Sequence, residues 1–281
     1  MNISVMAYNF QHELRAGRLN IHQVIRYIRQ LGVTSIELNH SLISGMDPRE
    51  VEKTLAETGT TLVCHDVFIE GLSADPAGRR ATIARFHQDL QQAVALGARR
   101  VMAVPNPAAG DLGPPGRRWF IEVLQESLAE AARLGLTFTV ENFGLRPKML
   151  GTLDHLLELS DAVGPGINIT CDIGSFWLNG EDPLRVLERL APRIDHVHAK
   201  SWLVVPGPGE AADRICRGAD GRYYTGAVLG EGVVDLRPPL LRLQQLGYQG
   251  SVAVEYEGAL DQCYAARRGV TYLRSVLEAL P

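Results

Sequence analysis

No stretch of this 281-residue chain approaches the roughly 18 consecutive apolar residues that would suggest a membrane span. Cysteine is scarce: Cys64, Cys171, Cys216 and Cys263 form no CxxC pair. That argues against a disulfide framework or a zinc–cysteine site and leaves reduced, partly buried thiols as the expectation. Charge of one sign is missing too. The formal net charge is −4, so nothing predicts the clustered basic face of a nucleic-acid binder. The N-terminal Met1-Asn2-Ile3-Ser4-Val5-Met6 has no basic leader and no long apolar run, and reads as a first strand. Internal repeats, low-complexity tracts, a Gly-rich phosphate loop and a dividing linker are all lacking. The expectation is a soluble, cytoplasmic protein forming one domain over residues 1–281, with neither nucleic acid nor membrane as partner.

What is present is alternation. Short apolar runs over 2–8, 34–39, 60–67, 100–104, 136–142, 167–172, 194–200 and 250–256 read as strands. Between them lie stretches with apolar residues at helical spacing, such as Val24, Ile25, Ile28 and Leu31, or Leu124, Leu128, Ala131 and Leu134. Gly32, Gly59, Gly97, Gly135 and Gly247 each fall just before a strand, where a helix end must turn through the left-handed region. Near-continuous apolar strands imply a parallel sheet covered by helices. Eight βα units in about this length close a (β/α)8 barrel, the TIM-barrel architecture. A doubly wound open sheet would not gather residues from four successive strand ends as naturally.

Four of the runs end on potential metal ligands: Glu141, Asp172, His198 and Glu255. Any one alone is more often a solvated or ion-paired residue. Together they sit at consecutive strand ends, where a (β/α)8 barrel places its active site. Three carboxylates and one imidazole suit one divalent ion, Mn²⁺, Mg²⁺, Co²⁺ or Zn²⁺, with substrate oxygens completing the shell. Two Pro/Gly-rich stretches, Pro105 to Gly116 and about Val204 to Gly232, follow the fourth and seventh strands. The longer one, about 204–232, is expected to be an irregular rim loop, either a lid or a disordered excursion.

Val140-Glu141-Asn142, Cys171-Asp172-Ile173-Gly174 and His196-Val197-His198-Ala199-Lys200 resemble the fifth, sixth and seventh strand motifs of the xylose isomerase-like barrel superfamily. Leu229-Gly230-Glu231-Gly232-Val233-Val234-Asp235, and Gly247-Tyr248-Gln249-Gly250 followed by Val254-Glu255-Tyr256-Glu257, are similar to its closing segment. The similarity spans nearly the whole chain and is closest to the sugar phosphate isomerase/epimerase branch. It implies a metal held by Glu141, Asp172, His198 and Glu255. Two positions depart from that pattern. Ser175 stands where the sixth motif usually carries a His that, in ketose epimerases, helps hold a substrate oxygen. Ser201 follows Lys200 where an Asp is usual.

The expected activity is isomerisation or epimerisation of a small keto- or aldo-sugar or related polyol. A bound cation lowers the pKa of the C–H next to a carbonyl. Glu141 and Glu255 form the catalytic pair, one removing a proton and the other returning it, through an enediolate that the cation stabilises. The same start serves an inosose-dehydratase-like or 3-keto-glycoside β-eliminating lyase. An AP-endonuclease-like nuclease would need more His ligands and a basic surface, and a non-catalytic sugar-binding barrel is the alternative outside enzymes. Barrels of this kind often pair into homo-oligomers, without any particular interface being indicated here.

Substrate contacts are expected from His65, Glu37, His196, Lys200 and Trp177. Each has a plainer reading. His65 is as well suited to a structural role, and Glu37, sharing a strand face with Asn39, to a buried ion pair. Lys200 would equally bridge Glu141 or Asp172. His196, two residues before His198, shares its strand face and supports or contacts the site rather than adding a ligand. Trp177, Phe68 and Trp202 would wall a sugar or pack a lid. Arg146 and Lys148 are candidates to meet a phosphate, with plain solvation as the alternative.

Overall fold

Eight parallel strands close into a barrel in the computed structural model, which describes residues 1–106, 110–208 and 215–281. The first seven are β1 (Asn2–Met6), β2 (Ser35–Asn39), β3 (Thr61–Ile69), β4 (Arg100–Pro105), β5 (Thr137–Glu141), β6 (Ile167–Asp172) and β7 (Ile194–Ala199). After β7 the chain forms β8 (Ser201–Val205), β9 (Ile215–Arg217) and β10 (Tyr223–Ala227) before β11 (Ser251–Val254) closes the barrel against β1. Each barrel strand lies within two residues of its expected bounds at either end.

The helices form where the sequence supplies both a cap and a periodic apolar face. Asn20 and Gln23 make a reciprocal capping box for the helix Ile21–Gln30, whose Val24, Ile25 and Ile28 are fully buried. Asp47, Asp75, Asp182 and Asp261 cap later helices by accepting backbone N–H groups. All five glycines expected at helix ends have positive φ, from 61° at Gly59 to 79° at Gly97 and Gly247.

The long rim loop is not wholly irregular. β8, β10 and β9 pair antiparallel as a separate three-stranded sheet beside the barrel. Its segment 209–214 lies outside the described residues, as does 107–109 in the shorter Pro/Gly-rich stretch. The expectation of little structure failed because Trp202, Tyr223 and Tyr224 carry the strand signal. The neighbouring Pro-Gly repeats hide it.

Candidate metal centre

The barrel interior is layered by strand alternation. The Thr139 and Thr170 hydroxyls hydrogen-bond at 2.9 Å, on the same strand faces as Glu141 and Asp172 one step nearer the rim. Beyond the strand ends two buried asparagines continue the backbone pairing. Asn142 Nδ2 donates to the Asp172 carbonyl at 2.8 Å, and its Oδ1 accepts from the Asp172 N–H at 2.9 Å. Asn9 does the same with the Val254 carbonyl (2.9 Å) and the Tyr256 N–H (2.7 Å). These clamps fix the places from which Asp172 and Glu255 project.

Glu141, His198 and Glu255 offer ligand atoms that lie within 4.8 Å of one another, and all three residues are buried. His198 Nδ1 is 2.9 Å from Glu141 Oε1 and 3.2 Å from Glu255 Oε2. Two cis ligands at about 2.1 Å from an octahedral ion stand roughly 3.0 Å apart, so this spacing fits one divalent cation. Glu255 Oε2 is buried and, apart from His198 Nδ1 at 3.2 Å, meets no hydrogen-bond partner among the described residues, leaving a lone pair that a cation would satisfy. Harder oxygens dominate the set, which suits Mg²⁺ or Mn²⁺ as well as Zn²⁺.

The far side of the imidazole is held as well. Glu37 Oε1 is 3.0 Å from His198 Nε2, and Glu37 Oε2 is 2.7 Å from His196 Nε2. A carboxylate on the nitrogen opposite the ligating one orients the ring and raises its basicity. Glu37, His196 and His198 are all fully buried, and the two imidazoles meet edge to face at 5.2 Å. Glu37 is thus committed to two histidines, and burial alone would raise its carboxyl. The two imidazoles outweigh that and hold it well below the usual range.

Asp172 is brought to the same rim but not into the three-residue group. Its Oδ1 accepts from the Ser175 N–H at 2.9 Å, and its Oδ2 makes a short contact with the Ser175 hydroxyl. Burial, then the charges of Glu255 and Glu141, push the Asp172 carboxyl up to about 8. Ser175 therefore caps the aspartate locally, a job the sequence pattern did not suggest. Lys200 Nζ lies 4.0 Å from Asp172 Oδ2, 2.6 Å from Glu255 Oε1 and 2.5 Å from Glu257 Oε2. Its ammonium sits 5.0 Å from the Trp202 ring centre, and the indole N–H donates to the Gly174 carbonyl.

The paired carboxylates are driven apart in acidity. Burial, offset in part by His198 and reinforced by Glu255, raises Glu141. Burial would raise Glu255 too, but Lys200 and His198 bring it down to about 2. Such divergence between neighbouring carboxyls is a mark of acid–base sites.

Two neighbouring chambers with shared lining residues lie at the cluster. An inner one of about 70 Å³ is lined by Asp66, Glu141, Glu255, Glu257 and the rings of Phe68 and Phe143. An outer one of about 220 Å³ is lined by Gln11, His12, Arg15, Trp202, Ile215 and Cys216. Tyr8, Leu145 and Glu257 line both. Neither alone reaches the roughly 300 Å³ at which small-molecule sites begin, but together they approach it.

Other expected contacts lie elsewhere. His65 alternates with Cys64 and Asp66 along β3 and does not line either chamber; Asp66 does. Trp177 stacks edge-on against Tyr224 at 5.5 Å and lines a separate surface hollow with Asp220 and Pro183. Arg146 stands over the Phe143 ring at 5.8 Å. Phe68 and Trp202 do line the chambers. Asp66, Glu257, Tyr8 and Asn39 were missed. Asp66 and Glu257 were legible in principle, because each lies one or two residues from a position already singled out.

A family model described as xylose isomerase-like TIM barrel matches residues 25–276. An inosose dehydratase of Lacticaseibacillus casei is 28% identical over 134 residues, covering 47% of this chain and 44% of that protein. The chain thus matches less than half the length of such curated relatives. Among solved structures, a probable 3-DHS dehydratase from Bacillus anthracis has a TM-score of 0.76 at 18% identity, over 98% of this chain and 99% of that one. An L-ribulose 3-epimerase has a TM-score of 0.78 at 17% identity, over 99% and 95%. At these identities the structural likeness speaks for the fold.

Proposed function

We propose, for a chain that belongs to the xylose isomerase-like TIM-barrel family, a divalent-metal-dependent enzyme that removes a proton from the carbon next to a carbonyl of a small sugar or polyol. The observation that carries this reading is the spacing of Glu141, His198 and Glu255 around one cation position at the floor of a cleft. Glu141, His198 and Glu255 would hold the ion, with Asp172 as the fourth ligand once it turns from Ser175. The bound ion supplies positive charge beside the substrate carbonyl and so acidifies the adjacent C–H.

The protein's own groups do the rest. Glu141 ends strand β5 and Glu255 follows β11, and both line the inner chamber. One takes the proton and the other returns it, a division typically worth 10²–10⁴-fold in rate. Lys200 neutralises Glu255 and Glu257, so that three acids converge without mutual expulsion. Glu37 fixes the tautomer of His198. Phe68, Phe143, Met102 and Val104 form an apolar wall that limits water at the reacting carbon. Return of the proton to carbon gives an isomerase or epimerase.

A second reading, dehydration, has two observations in its favour. Curated relatives are inosose dehydratases, and Ser175 stands where the sixth-strand motif of the ketose epimerases that the sequence resembles carries a His. Soaking the protein with Mn²⁺, Mg²⁺ or Co²⁺ and an inosose or keto-sugar in D2O tests the common step. Deuterium should enter at the carbon next to the carbonyl. No exchange with any of these probes, under conditions where the metal binds, overturns the proposal.

A further inference from the structure

Asp66 faces the inner chamber and has no part in the proposed deprotonation. It projects from β3 and is 1% exposed. Neither of its carboxyl oxygens has a hydrogen-bond partner among the described residues. Every other acid in the cluster is engaged: Glu37 by two imidazoles, Glu255 and Glu257 by Lys200, Asp172 by Ser175, Glu141 by His198. Asp75 and Asp182, by contrast, are satisfied by helix N–H groups.

A buried carboxylate with no donor around it is very costly, so the group keeps its proton. Burial first, and then the Glu37 carboxylate beside it, hold Asp66 well above the ordinary range. A protonated carboxyl is a hydrogen-bond donor that needs an acceptor; the adjacent Glu37 carboxylate is the one beside it, but Glu37 is held by two imidazoles and no described atom meets either Asp66 oxygen at full hydrogen-bond distance. What remains to meet it is an oxygen of the bound ligand. Asp66 lines the chamber together with Glu141 and Glu255, on a strand two places round the barrel from β5.

We propose that Asp66 is the general acid that protonates a departing β-hydroxyl, so that the enzyme completes its reaction by loss of water rather than by return of the proton to carbon. This rests on the carbonyl-adjacent deprotonation above. In that step the base takes the α-proton. The C–H electron pair becomes the new C=C bond, and the β C–O bond breaks with its pair going to oxygen. The Asp66 proton joins that oxygen, water leaves, and Asp66 remains as carboxylate. The proton held by the base then returns through solvent to Asp66, and no oxidant or reductant is consumed. The apolar wall of Cys64, Met102 and Val104 around the carboxyl favours restoring its neutral form between turnovers.

The test uses the full chain loaded with Mn²⁺ and an inosose in D2O, with deuterium exchange and dehydrated product followed in one NMR time course. In Asp66→Asn, elimination should fall by about 10²-fold or more while exchange falls far less. Asp66→Ala should behave likewise, and added formic or acetic acid should restore part of its elimination. Equal losses of exchange and elimination would reduce Asp66 to a structural role. Elimination at the wild-type rate in both variants, or a wild type that exchanges without eliminating, would overturn the proposal. A wild type that does neither sinks the deprotonation reading itself, and Asp66 with it. Unchanged Mn²⁺ affinity and circular dichroism identify variants that have folded.

Discussion

Glu37 Oε1 and His198 Nε2 stand 3.0 Å apart across the barrel interior, joining β2 to β7. Sequence separates them by 161 positions. The pairing leaves His198 Nδ1 as the nitrogen turned toward Glu141 and Glu255. Which ring nitrogen meets a cation is thereby decided by a residue that never touches it.

Glu37→Gln should weaken Mn²⁺ binding by about 10–100-fold, because an amide holds the imidazole less firmly and no longer raises its basicity. Titration calorimetry checks this. Unaltered affinity would remove Glu37 from the support of the site.

Glu141→Gln and Glu255→Gln should each cost at least about 10²-fold in turnover with the fold retained. Steady-state rates beside circular dichroism provide the check. Activity that survives both changes separately would refute their pairing as acid and base.

Gly174→Ala should destabilise the protein by about 1–3 kcal/mol, an overpacking cost. A Cβ there would stand 2.6 Å from the Lys200 carbonyl oxygen, which is backbone and cannot swing aside. Thermal denaturation would show a lower midpoint. A neutral effect would mean that the segment after β7 is softer than its packing implies.

Acidification should unfold the protein in part through His65. Burial, assisted by the nearby His40, lowers the His65 imidazole from 6.5 to about 4. The folded form therefore binds this proton less readily than the unfolded chain. The contribution is complete above about pH 6.5 and disappears as pH falls toward 4, up to about 3 kcal/mol in all. His65→Asn should flatten the stability profile across that window, and an unchanged slope there would contradict the assignment.

The barrel itself was readable because its strands are buried on both faces and its helix ends are punctuated by glycine. Period and punctuation are local properties. Glu141, His198 and Glu255 were readable for the same reason, since each closes an apolar run. Asp172 was read correctly as a strand-end acid, yet its attachment to Ser175 depends on a helix that starts at once after the strand. His65 and Asp66 show the limit most clearly. One step along β3 exchanges the chamber for the opposite face, and the β2–β3 pairing shifts register between Ile36 and Glu37. Strand pattern without register cannot tell those two neighbours apart. Trp177 followed the strand end as expected, but Tyr224 claims its ring, and that partner lies 47 positions on in a sheet the composition concealed.

Among the described residues, the small sheet of β8, β10 and β9 hydrogen-bonds within itself and shares no ladder with the eight barrel strands. It nonetheless supplies Trp202, Ile215 and Cys216 to the mouth of the cleft. Insertions, deletions and exchanges of that segment between relatives would thus be tolerated by the scaffold while recasting what enters. It is the natural graft point for reshaping the cleft to a differently shaped molecule.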